Sequence, residues 1–293
     1  MYRTIRLNNR SMTATDRPPV TTPPSPDFAA ILRAERCRRG GLGRLLRQGF
    51  WGLLLAAILV ASTRTAEVSL PELWAGLPRL SEWLTRFWPP DLSELPSFLA
   101  ATWETLAIAI VGTGAAIAVA GPLAWLSARN TTPLPWLVPP LRGVLNLLRG
   151  IDTAIFALFF VSVVGLGPFA GVLGVAFHTT GSMAKLYAEV LETIPPEPVE
   201  AIDATGSDRL RTFAFAVLPE ALPGLVGIGL YLWEFNVRSS VILGIVGAGG
   251  IGYELLVSLK LLDFSRLATI LLLILGMVTL IDWLSAYLRR RLS

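Results

Sequence analysis

Three polar groups interrupt the long apolar runs of this chain, and each carries side chains able to hold an anion. Arg142, Asn146 and Arg149 recur at i, i+4 and i+7, which places them on one helical face with Asp152 near by. A guanidinium stays protonated and can meet two oxygens of a tetrahedral oxyanion at once, so this face could offset the desolvation of such a ligand. A pair between Arg149 and Asp152 is the competing reading. Glu234 and Arg238 form an i, i+4 pair flanking Asn236 in the outer half of an apolar run, suited either to mutual neutralisation or to ligand contact. His178, Thr179 and Thr180 offer hydrogen bonds to oxyanion oxygens, or serve only as contacts between helices. An ionisable side chain at the centre of a bilayer costs about 2.5–3.5 kcal/mol on insertion scales, so each must face protein, water or an opposite charge.

The same inventory argues against catalysis. His178 is the single histidine of the chain, which leaves no His-Glu-x-x-His zinc pattern and no Ser/His pair at several positions. Cys37 is the single cysteine, too few for an internal disulfide or a cysteine metal cluster. Gly247, Gly249 and Gly252 spell a dinucleotide-binding string, but that motif needs a strand before it, a helix after it and an acidic residue about twenty positions on. Here the glycines, Gly250 included, sit between two apolar runs, where they suit a turn, a hinge or an external gate. A phosphate-cradling Gly-x-x-x-x-Gly-Lys-Ser/Thr loop is lacking, so ATP and Mg would have to be bound by another subunit and no cofactor is expected in this one.

The elements that position these residues are set by a membrane. Of 293 residues 53% are hydrophobic and 16% charged, with a mean hydropathy of +0.59, well to the apolar side of soluble domains. The net charge of +4 is scattered among apolar runs rather than gathered on one basic face, which disfavours nucleic acid as a partner. Apolar runs at about 48–63, 98–127, 140–165, 169–190, 220–246 and 267–288 predict an all-α integral membrane protein of about six transmembrane helices. The first run is short enough to resemble a signal-peptide core, but a long proline-rich segment precedes it and Arg44 and Arg47 flank its start, which favours a span. By helical rise, Arg149 falls about 14 Å into its span, roughly mid-membrane.

Arginines crowd the tail, the Arg129 loop, the 209–211 segment and the C-terminal Arg289–Arg291, while the alternate loops hold Arg64, Arg79, Arg86 and Lys260. The positive-inside rule then puts both termini in the cytoplasm. The chain divides into a cytoplasmic, largely disordered Pro/Arg-rich tail over 1–47, with either an interfacial helix or a solvated segment near 27–39, and a transmembrane domain over 48–293. Trp74, Trp83 and Trp88 suit a helix at headgroup level or a docking surface for an external protein.

A water-compatible island at 192–219 lies among these spans on the cytoplasmic side. Pro195, Pro196 and Pro198 suit a first helical turn, Gly206 supplies a stop, Asp208 can cap a second helix through Val217, and Pro219 opens the next run. Glu200-Ala201, Gly206 and then Leu218-Pro219 resemble the EAA loop of ABC-importer permeases, with Ile202 in place of the second alanine and Ala216 in place of a branched residue. In that family the loop seats in a groove of the ATPase. A plain amphipathic linker is the alternative.

Four further segments sharpen the resemblance: Val164 through Gly171, His178-Thr179-Thr180-Gly181, Glu234 through Ser239, and Gly247 through Gly252. Together they are similar in order and spacing to the phosphonate ABC-transporter permeases, over about Pro90 to Arg291. The resemblance implies a type I importer (MetI-like) permease fold in a bacterial inner membrane. It also implies a homodimer of permease chains with two ATP-binding subunits and a periplasmic phosphonate- or phosphite-binding protein. The ligand would be a phosphonate or a related phosphorus oxyanion such as phosphite or hypophosphite; another small solute, or a non-transporting scaffold, is the remaining alternative.

Overall fold

The computed structural model describes residues 41–292; the stretch over 1–40, including the interfacial helix or solvated segment expected near 27–39, lies outside the described residues. All regular elements among the described residues are helical. The chain separates into two units, one ending at Ala75 and one running from Gly76. In the first, α1 (Gly41–Thr65) begins before the expected Gln48 and exposes Phe50, Trp51, Leu53, Leu55 and Ile58. A helix apolar on every side belongs in a non-aqueous environment. α2 (Leu70–Arg86) crosses the boundary and carries Trp74 and Trp83. Within the second unit Trp83 and Phe87 lie against Phe264, with ring centroids 5.6 and 5.8 Å apart.

The second unit is organised around α3 (Leu95–Ser127) and α6 (Pro168–Glu192). α3 presents Ala109, Ala116, Ala120 and Ala124, all buried, and small side chains let helices approach until backbones meet. A Cβ at Gly112 would stand 2.7 Å from the Val175 Cβ, so α3 and α6 could not pack this closely with any larger residue there. α6 in turn touches α4 (Val138–Gly150), α5 (Thr153–Val164) and α9 (Leu218–Leu243). Because its neighbours wrap it, α6 can carry Thr179, Thr180 and Ser182 buried rather than facing lipid.

Among the described residues, three helical stretches are long and apolar enough to cross a membrane: Leu95–Ser127, Arg209–Ala248 and Phe264–Arg291. The expected span at 140–165 is not continuous. α4 ends at Gly150, Ile151 is extended, and α5 leaves at 88° after Asp152, whose carboxylate caps it by accepting from the Ala154 N–H at 2.8 Å. The apolar pattern could not show this break, because Gly150 and Asp152 are tolerated in a helix until a capping geometry uses them.

A second difference concerns the 209–217 segment. α7 (Pro196–Asp203) and α8 (Arg209–Thr212) form as expected, but α8 does not stop near Val217. A π turn at Phe213–Val217 carries it into α9, with the Leu218 N–H reaching the Phe213 carbonyl. Pro219 lacks an N–H, and the wider turn absorbs the lost bond. α9 leads through a second π turn (Gly244–Ala248) to α10 (Ile251–Lys260) and α11 (Phe264–Leu292). Arg266 joins this end together, donating to Glu94 at 2.6 Å and Glu254 at 3.4 Å. Near by, the exposed Asp91 carboxyl is held below the usual carboxylate range by the Ser93 backbone N–H, followed by the Ser93 hydroxyl.

Candidate functional site

The break between α4 and α5 is held by α6. A Cβ added at Gly181 would lie 2.6 Å from the Leu148 Cβ and 2.8 Å from the Arg149 nitrogen, so the last turn of α4 rests directly on the middle of α6. One turn earlier on α6, the Ile151 carbonyl meets His178 Nδ1 at 2.8 Å. A carbonyl only accepts, so Nδ1 carries the proton and Nε2 keeps its lone pair when the ring is neutral. His178 therefore pins the end of α4 rather than standing beside it idle.

Arg142, Asn146 and Arg149 do share one face of α4. They do not share a fate. Arg142 is spent on the end of α6, bonding Glu192 at 2.5 Å and the Ser127 carbonyl at 3.0 Å. Arg149 is exposed and, among the described residues, has no hydrogen bond or ion pair; the competing reading, a pair with Asp152, does not form, because Asp152 lies beyond the break and caps α5. A fixed positive charge thus stands free at the break, where α4 meets the middle of α6. In a desolvated setting an unpaired guanidinium is costly unless a ligand or a further chain meets it.

Thr179 and Asn236 are brought together, but toward each other. Asn236 Nδ2 donates to Thr113 Oγ1 at 2.8 Å and to Thr179 Oγ1 at 3.0 Å, and both Asn236 and Thr179 are buried. These side chains join α3, α6 and α9 and have no free capacity for a passing solute. Sequence reasoning did not single out Thr113, whose hydroxyl completes the trio.

Glu234 and Arg238 pair at 2.9 Å, and the pair extends: Arg238 reaches Asp282 at 3.1 Å and Arg289 reaches Glu234 at 3.2 Å. The network ties α9 to the C-terminal third of α11. Arg289 belongs to the C-terminal arginine cluster, so the pair stands beside the C-terminal part of α11. Asp282 was legible as an acid inside an apolar run and was passed over.

The knuckle at 196–219 is built as the spacing suggests. Gly206 has φ +78°, a left-handed conformation that a β-branched residue resists. The Asp208 carboxylate accepts from the Arg211 N–H at 2.8 Å, and Thr212 donates to Asp203 at 2.5 Å, clasping α7 to α8 across the turn. Glu200, Ala201 and Asp208 are exposed, and Leu218 and Pro219 open α9 at its rim.

Gly247, Gly249 and Gly250 all take positive φ, at +100°, +79° and +70°. Gly252 has helical geometry; any side chain there would collide with the Val241 carbonyl. The Gly167 N–H donates to the Gly247 carbonyl at 3.0 Å, and the Ile251 N–H to Thr105 Oγ1 at 2.9 Å. The two glycine-rich turns thus meet at one end of the bundle.

A family model described as binding-protein-dependent transport system inner membrane component matches residues 53–293. The chain belongs to that family. It is 37% identical over 257 residues to the phosphite transport system permease protein PtxC of Stutzerimonas stutzeri, covering 87% of this chain and 94% of that protein. It is 42% identical over 209 residues to the phosphate-import permease protein PhnE of Mycolicibacterium smegmatis, covering 71% of this chain and 39% of that protein. Among solved structures it resembles an inward-facing MetNI methionine ABC transporter chain at a TM-score of 0.61 and 23% identity, over 69% of this chain and 99% of that one. The chain is thus a multi-pass membrane permease subunit of an ABC importer with the MetI-like fold, and it is not an enzyme. Subunits of this family work with an ATPase and a substrate-binding protein.

Proposed function

We propose that two copies of this permease enclose a path for a small phosphorus oxyanion, phosphite or a phosphonate foremost, with hypophosphite as a related cargo. The observation that carries this reading is Arg149, a guanidinium without a partner among the described residues, presented at the α4–α5 break against the middle of α6. PtxC, a phosphite transport permease, and PhnE, a phosphate-import permease, support such a cargo. A periplasmic phosphonate- or phosphite-binding protein delivers the ligand in a bacterial inner membrane. Both termini lie in the cytoplasm, as the arginine distribution favours. Two ATP-binding subunits, which bind ATP and Mg, receive the knuckle through Glu200, Ala201, Gly206, Asp208, Leu218 and Pro219. Gly247, Gly249, Gly250 and Gly252 form the outer gate.

The test is uptake of labelled phosphite by the complete transporter in proteoliposomes at matched protein level. Arg149→Lys keeps a point charge but loses the two-pronged fork, so it retains partial uptake; Arg149→Met abolishes it. Full uptake by Arg149→Met would overturn the reading.

A further inference from the structure

One to two turns from Arg149 along α4, a cavity of about 140 Å³ opens between the ends of α3, α4 and α6, lined by Ser127, Arg142, Asn146, Lys185 and Glu189. At roughly 30 Å³ for each water's share of liquid volume, it has room for a tetrahedral oxyanion. Its polar groups are only partly used. Arg142 spends Nε and Nη2 on Ser127 and Glu192, leaving Nη1 unbonded among the described residues. Lys185 stands 4.0 Å from Glu189, beyond hydrogen-bond reach, and both side chains are partly exposed. The Asn146 amide makes no bond among the described residues.

We propose that this cavity is a second anion site, selective for the singly protonated form of a tetrahedral phosphorus oxyanion. Donors converge from both helices: Arg142 and Asn146 one turn apart on α4, Lys185 on α6. They can bind three ligand oxygens. Glu189, on the same wall, is acceptor-only when ionised and needs a donor from the ligand. A hydrogen phosphate or hydrogen phosphite supplies one in its P–OH group. Sulfate carries no proton at neutral pH, so it would set an oxygen lone pair against the Glu189 carboxylate and is rejected. The site deepens the transport reading and rests on it: Arg149, Asn146 and Arg142 become successive donors, and this pocket is the last holding point before release at the Glu192 end of α6.

The experiment titrates inorganic phosphate, then sulfate, into the complete transporter without ATP, followed calorimetrically. The wild type binds phosphate and not sulfate. Lys185→Met and Asn146→Leu each weaken phosphate by about tenfold or more, the scale of a lost charge-assisted hydrogen bond. Gly114→Ala, outside the cavity, retains phosphate binding, and Glu189→Gln, which can donate as well as accept, admits sulfate. Undetectable phosphate binding by folded wild type, binding unchanged in both Lys185→Met and Asn146→Leu, or continued sulfate rejection by Glu189→Gln would each overturn the site. Labelled phosphite uptake separates the two ideas: phosphate binding here without uptake sinks the transport reading, and uptake without this binding sinks the pocket.

Discussion

Asn236 donates to Thr113 across 2.8 Å in a place where Asn236 has no solvent exposure at all. Hydrogen bonds between membrane helices average about 0.6 kcal/mol and reach about 1.7. Asn236 makes contacts to two threonines on two helices, so Asn236→Leu should cost about 1–3 kcal/mol and strand both hydroxyls. Thr113→Val removes one partner and should cost less. Unfolding of the purified protein in detergent measures both; equal stability of Asn236→Leu and wild type would mean the trio does not hold α3, α6 and α9 together.

Gly181 offers a way to move Arg149 without changing any charge. Its missing side chain is where Leu148 and the Arg149 backbone sit, at 2.6 and 2.8 Å from an ideal Cβ. Gly181→Val must push α4 off α6, an overpacking that costs about 1–3 kcal/mol. Labelled phosphite uptake should fall far more than the amount of inserted protein. Gly114, with open space around it, is the control position, and Gly114→Ala should leave uptake unchanged.

Much of the scaffold could be read from the sequence because apolar length and glycine placement are local signals. The knuckle was legible for the same reason: Gly206 and Asp208 act within a few residues of themselves. What could not be read depends on residues far apart in sequence. The Ile151 break is fixed by His178, and the fate of Arg142 by Glu192, fifty residues away. Polar residues in a membrane segment announce that they need a partner, but not whether the partner is a ligand or another helix. Asn236 and Arg149 looked alike on that ground, and only packing separates a satisfied amide from a free guanidinium.

Gly206 tests the knuckle as a coupling element. Its φ of +78° is one that a β-branched residue adopts only with strain, and nothing crowds the site, so the effect of Gly206→Val is on backbone direction alone. The helical spans should insert normally while ATPase association or substrate-stimulated hydrolysis is lost. Gly206→Asn, which tolerates the left-handed region better, should retain more coupling than Val. Equal coupling in wild type and Gly206→Val would reduce the segment to a linker.

The charge network on α9 and α11 makes a prediction that depends on who the partners are. Arg238 bonds Glu234 at 2.9 Å and both Asp282 oxygens at 3.1 and 3.3 Å, whereas Glu234 also has Arg289 at 3.2 Å. Removing Arg238 therefore leaves Glu234 with Arg289 and takes from Asp282 the cation it meets on α9. The charge deprived of its partner belongs to Asp282, and a carboxylate in a helix apolar enough to cross a membrane is costly unless it meets protein, water or an opposite charge. Arg238→Met should lower the yield of folded, inserted protein, and adding Asp282→Asn should restore it better than adding Glu234→Gln. Yield and detergent unfolding of the two double variants decide this: better rescue by Glu234→Gln would show that the i, i+4 pair, not the bridge to α11, is the interaction that matters. If Arg238→Met/Asp282→Asn folds and inserts normally yet imports no phosphite, then Arg238 serves transport beyond neutralising its neighbours.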